Sequence, residues 1–98
     1  MNNKIDVIEK KIFELLKKIM ADLRPAKIIN KSTFNQLYRT LDELKPLIKE
    51  EEYVKKSLVD KLFFLQNFMI VQADYANYSD ELMKEIQKVG SYLVDIFK

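Results

Sequence analysis

The chain has 98 residues, 48% of them apolar and 33% charged, with a formal net charge of +2. That length and apolar content give one domain with one core and exclude intrinsic disorder. Cysteine and histidine are absent, which excludes disulfides, thiolate or imidazole metal sites, thiol nucleophiles and a histidine general base.

A single glycine and two prolines leave little turn punctuation for a many-stranded fold. The first element is expected to be a helix over about 4–23. Ile5, Ile8, Ile12, Leu15, Ile19 and Leu23 recur at helical spacing, with Phe13, Leu16 and Met20 widening the stripe. Lys4, Lys10, Lys11, Lys17 and Lys18 take the opposite face, and Glu14 precedes Lys18 by four residues. Charges inside this apolar pattern do not suit a signal peptide. Pro25 ends the helix near Arg24, and the connection to Lys31 carries Arg24, Lys27 and Lys31 with no acid.

The second helix is expected over about 33–45. Thr33 and Gln36 have the spacing of a capping box, and Phe34, Leu37, Tyr38, Leu41 and Leu44 follow in helical register. Pro46 calls for a stop before it, or for a kink followed by one more turn through Leu47 and Ile48. Glu50, Glu51 and Glu52 suit the positive end of a helix dipole, so the third helix is expected over about 51–72, with Tyr53 and Val54 beginning its apolar pattern.

That third helix contains the most apolar run of the chain, Leu62 to Val71. Leu58, Leu62, Leu65 and Met69 make one stripe at spacings of four, three and four. Phe64, Phe68 and Val71 make a second, well off the first, where an ordinary surface helix needs only one. Either a neighbouring helix covers them or, with Tyr75 and Tyr78, they form an exposed aromatic patch of the kind that marks a binding site. The run is about half the roughly 20 residues that a membrane span needs. Asp74 and Asn77 are candidate caps, and a fourth helix is expected over about 78–97. Its stripe is Tyr78, Leu82, Ile86, Val89, Leu93 and Ile96, with Asp80 and Glu81 in the first turn. Gly90 inside it suggests close approach by a neighbouring helix.

Four amphipathic helices joined by short connections predict an all-α, antiparallel, up-down-up-down four-helix bundle in a single domain over 1–98. No internal repeat stands out. Residues 1–49 carry eleven basic and six acidic groups, and residues 50–98 carry six and nine. Three aromatics lie in the first half and eight in the second.

No chemistry-bearing constellation emerges. Glu81 and Glu85 lack the Glu-x-x-His partners of a carboxylate-bridged metal pair and read as a solvated face. The serines have no imidazole, and one glycine cannot build a phosphate-cradling loop. The chain is therefore expected not to be an enzyme and to use no cofactor or metal. No basic helix-turn-helix pair suggests nucleic acid. The lysine face of the first helix reads first as a solvated surface, and second as a contact for anionic lipid or phosphate. A reducing cytoplasm fits the lack of cysteine.

In Leu58-Val59-Asp60-Lys61-Leu62-Phe63-Phe64, Tyr78-Ser79-Asp80-Glu81-Leu82-Met83 and the stretch Ile86 to Gly90, the chain resembles the enterocin A immunity family. These are cytoplasmic proteins that protect bacteriocin producers from their own pediocin-like peptide. The resemblance covers about 35 residues, rests mostly on core spacing, and meets Ala76-Asn77 where a threonine cap is family-like. It implies an antiparallel four-helix bundle that acts by binding. The implied partner is the membrane permease of the mannose phosphotransferase system, engaged from the cytoplasmic side once the bacteriocin has docked. On that reading the expected partner-binding residues are Phe64, Phe68, Tyr75, Tyr78, Lys84 and Lys88. Apart from the resemblance, the lysine face of the first helix offers a third reading, a peripheral contact with an anionic membrane surface. The alternative function is a small helical adaptor or antitoxin-like binder of another soluble protein.

Overall fold

A computed structural model describes residues 3–24, 28–49, 51, 53–75 and 79–97. Four helices make up the fold: α1 (Asn3–Leu23), α2 (Lys31–Lys49), α3 (Lys56–Tyr75) and α4 (Asp80–Ile96). They alternate in direction along the chain and pack as a four-helix bundle, 43 Å long and 23 by 20 Å across. α1 packs against α2 and α3, and α4 packs against the same two, so α1 and α4 are diagonal, as are α2 and α3.

The two hairpins, α1–α2 and α3–α4, are antiparallel, and they lie side by side so that α1 runs parallel to α3 and α2 to α4. The cross-helix contacts fix that register. Lys55, just ahead of α3, reaches Asp6 and Glu9 near the start of α1, at 3.0 and 3.1 Å. Along α2 and α4 the contacts climb together: Lys31 with Glu81, Tyr38 with Glu85, Asp42 with Tyr92 and Lys45 with Asp95.

Each helix gives one stripe to the core. Ile8, Ile12, Leu16, Ile19 and Leu23 come from α1, and Phe34, Leu37, Leu41, Leu44 and Ile48 from α2. α3 adds Leu58, Leu62, Leu65 and Met69, and α4 adds Leu82, Ile86, Val89 and Leu93. Full burial stabilises by roughly 1.5–3 kcal/mol per large side chain, so this core outweighs any local feature below.

The helix ends depart from expectation for identifiable reasons. α2 begins at Lys31, and Asn30 caps it: its Oδ1 accepts from the Thr33 backbone N–H at 3.3 Å. Thr33 is instead buried within the first turn, so the Thr33–Gln36 capping box does not form. α2 continues through Pro46 for one more turn to Lys49. Pro46 is exposed, so the carbonyl left without its N–H partner is near water, and burial of Ile48 holds the last turn.

α3 starts at Lys56, not at Glu51. The chain must cross the bundle diagonally from the end of α2 to the start of α3. Extended backbone covers about 3.3 Å per residue against 1.5 Å for helix, so a helical start at Glu51 would fall short. Residues 53–55 are accordingly non-helical, and Val54 packs on the core. Glu51 donates its N–H to Ile48 at the end of α2 (3.0 Å) and lies outside α3; Glu50 and Glu52 are outside the described residues.

α3 runs on to Tyr75, so Asp74 belongs to its last turn and Asn77 falls outside the described residues. Ser79 caps α4, its hydroxyl accepting from the Leu82 N–H at 3.3 Å, with Asp80 and Glu81 in the first turn as the dipole favours. A Cβ at Gly90 would come within 3.2 Å of the Gln66 side-chain amide, so what crowds this glycine is a side chain of α3.

Candidate functional site: the outer face of α3

The core-facing stripe of α3 is sealed, with Leu58, Leu62, Leu65 and Met69 buried and Gln72 and Ala73 extending it. Its other flanks remain apolar. Phe64 is 57% exposed and Val71 52%, and Phe68 is half-buried beside Phe64, ring centroids 6.4 Å apart. No helix covers Phe64 or Val71, whereas Phe68 packs in part against the core, so the second stripe is surface at two of its three positions.

The apolar surface is wider than the sequence stripe. Phe63 (45% exposed) and Ile70 (49% exposed) stand seven residues apart on the shoulder toward α4, where the Phe63 ring stacks on Phe97 at 5.9 Å. Val94 on α4 is exposed as well. Phe68 lies on the opposite shoulder, because Lys61, seven residues earlier, extends its ammonium over Phe13 of α1 at 6.0 Å. From residue 63 to residue 71 the exposed polar residue is Asn67 alone. Exposed apolar side chains grouped along one side of a helix are the feature by which binding surfaces of small proteins are recognised.

Of the remaining expected contact residues, the two lysines do not converge there. Lys88 faces α2, its ammonium 4.5 Å from the Tyr38 ring centroid. Since α2 and α3 are diagonal, Lys88 and the phenylalanines sit on different sides of the bundle. Lys84 is exposed on α4, two residues before the buried Ile86, and belongs to neither group. Tyr75 ends α3, with its side chain outside what the structure describes, and Tyr78 lies outside the described residues. Phe63, Ile70 and Val94 were missed as site residues. The seven-residue spacing of Phe63 and Ile70 was their available signal.

The seam between α2 and α4 is closed by its own polar contacts. The Tyr38 and Tyr92 rings stack with centroids 5.2 Å apart. Tyr38 donates its hydroxyl to Glu85 at 2.5 Å, and Tyr92 donates to Asp42 at 3.1 Å. Lys45 lies 4.4 Å from the Tyr92 ring centroid and pairs with Asp42 and Asp95. Burial, then the neighbouring Glu85, raises the Tyr38 phenol well above its ordinary range. Burial, then the hydrogen bond to Asp42, raises Tyr92.

At the start of α3, the buried Glu9 carboxylate accepts from Lys55 and from the Ser57 hydroxyl at 3.2 Å. Hydrogen bonds to Asp6 and Glu9 raise the Lys55 ammonium above its usual value. These groups bind one another and form a joint between α1 and α3. An open groove of about 500 Å³ along Lys4, Val7, Ile8, Glu43 and Leu47 has mostly apolar walls. Among the described residues no group of three or more carboxylates could hold a metal ion, and no helix is long and apolar enough to cross a membrane. No family model, curated protein or solved structure matches the chain.

Proposed function

We propose that this chain is a non-catalytic binding protein that works through the outer face of α3, and that its role is immunity to a pediocin-like bacteriocin. The observation that carries the binding role is the exposure of Phe63, Phe64, Ile70 and Val71 on a helix whose core stripe is already satisfied. The immunity assignment draws on the resemblance in α3 and α4 described above. On this reading the α3 face meets the mannose phosphotransferase permease engaged by the peptide and blocks the lethal pore from the cytoplasmic side.

Two corrections sharpen the contact surface. Lys88 is held over Tyr38, so it serves the α2–α4 seam, and Phe63, Ile70 and Val94 take its place in the proposed surface. Expression in a sensitive lactic-acid bacterium tests the proposal. Protection against at least one of a panel of pediocin-like peptides is expected, and protection against none contradicts it. A pull-down that recovers one soluble protein and no sugar permease would favour the adaptor reading instead.

A further inference from the structure

On α2 and α4, Lys31, Lys45 and Lys88 are occupied by acids or by tyrosine rings, while Arg39, Lys49 and Lys84 are exposed and make no ion pair among the described residues. On α1, Lys10, Lys11 and Lys17, with Arg24 just past its end, are likewise exposed and make no ion pair among the described residues. Three of the four α1 acids are already engaged, Asp6 and Glu9 by Lys55 and Asp22 by Lys18. Glu14 is the fourth.

Lys10, Lys17 and Arg24 repeat every seven residues and so share a stripe. Its place follows from two contacts. Asp6 and Phe13 touch Lys55 and Lys61, so their stripe borders α3. Lys10 and Lys17 come four residues later, one ridge further out. Because α1 and α3 run parallel with residue 6 beside residue 55, Lys17 stands level with Phe64 and Phe68, and Arg24 level with the end of α3. A row of unpaired cations thus runs along the apolar strip, on the Phe68 side. Asp60 and Asp74 bracket the strip at its two ends.

We propose that this α1–α3 face docks on an anionic lipid bilayer. Phe64, Phe68 and Val71 sit at the headgroup–acyl boundary, and Lys10, Lys17 and Arg24 lie on the headgroups, with the helices in the plane of the surface. Peripheral helices bind bilayers by this combination of apolar insertion and cation attraction. A second copy paired antiparallel through α3 would set cation row against cation row, which an anionic surface does not. The contact shares the α3 strip with the immunity reading but does not depend on protection.

Vesicle binding by the whole purified protein tests it. The chain has no tryptophan, so Phe64→Trp supplies a single reporter on the face, and Arg39→Trp supplies one on diagonal α2. With phosphatidylglycerol vesicles at low salt, the protein is expected to co-sediment. Emission from Phe64→Trp shifts to the blue, emission from Arg39→Trp does not, and binding weakens as salt rises. Replacing Lys10, Lys17 and Arg24 together by Gln lowers partition about 100-fold with an unchanged unfolding midpoint. Failure to sediment with anionic vesicles, equal binding to neutral phosphatidylcholine, or a vesicle-free dimer that shields the Phe64→Trp reporter each overturns the proposal. Vesicle binding without protection of cells contradicts the immunity reading alone, and protection without vesicle binding contradicts this contact alone.

Discussion

Leu62 and Phe64 are two residues apart on α3 and do opposite work. Leu62 has no exposed surface, whereas more than half of Phe64 is in contact with water. Leu62→Ala is therefore expected to cost about 2–5 kcal/mol in urea unfolding, and Phe64→Ala less than about 1 kcal/mol. Equal costs would mean that Phe64 belongs to the core. Gly90 offers a second comparison. Alanine gains up to about 1 kcal/mol over glycine inside a helix. The obstacle to a methyl group there is the end of the flexible Gln66 side chain, 3.2 Å away. Gln66 also buries an Oε1 that has no hydrogen-bond partner, so it gives up little by moving. Gly90→Ala should raise the unfolding midpoint. A lower midpoint would show that Gln66 cannot shift, and that the glycine is needed where α3 and α4 meet.

The elements differ in how far the sequence discloses them. α1 matches expectation to within a residue at its start, because its apolar stripe runs unbroken and Pro25 stops it. The end of α2 was legible only as a choice between a stop and a further turn, and burial of Ile48 decides for the turn. The start of α3 was misplaced by five residues, since nothing local to Glu51 shows that the chain must cross a diagonal there. The seat of Lys88 over Tyr38 was hidden for a similar reason: which helices are neighbours is a tertiary fact. That α2–α4 seam makes its own prediction. Tyr38 and Tyr92 have phenols raised in the folded state, so above pH about 10 the unfolded chain releases protons that the folded chain retains. Stability is then full below that pH and falls as pH rises through the alkaline range, and the raised Lys55 acts in the same direction. Phenolate absorbance should show Tyr38 and Tyr92 ionising at higher pH in the folded protein than in the urea-unfolded chain. Glu85→Gln should bring Tyr38 part of the way back, with burial retaining the rest of the shift. Ionisation of Tyr38 and Tyr92 at the same pH in the folded and unfolded chains would contradict the seam.

At the scale of the whole molecule, two antiparallel hairpins lie side by side with their like helices parallel, and the two parallel seams are unlike. The α2–α4 seam uses up its charges and rings internally. Along α1 and α3, the joint at Glu9 and Lys55 secures one end, while unpaired cations and an uncovered apolar strip run along the rest. The all-α bundle was legible from hydrophobic spacing. So was the surplus stripe of Phe64, Phe68 and Val71, but not its exposure, which depends on α2 being diagonal to α3. The outer face of α3 is the proposed working surface, and the fold does not need it. Replacing Phe64 and Val71 together by Ser tests both halves when protection of sensitive cells is measured at matched levels of folded protein. A folded bundle that no longer protects is the expected result. A double variant that protects as well as the parent would contradict it.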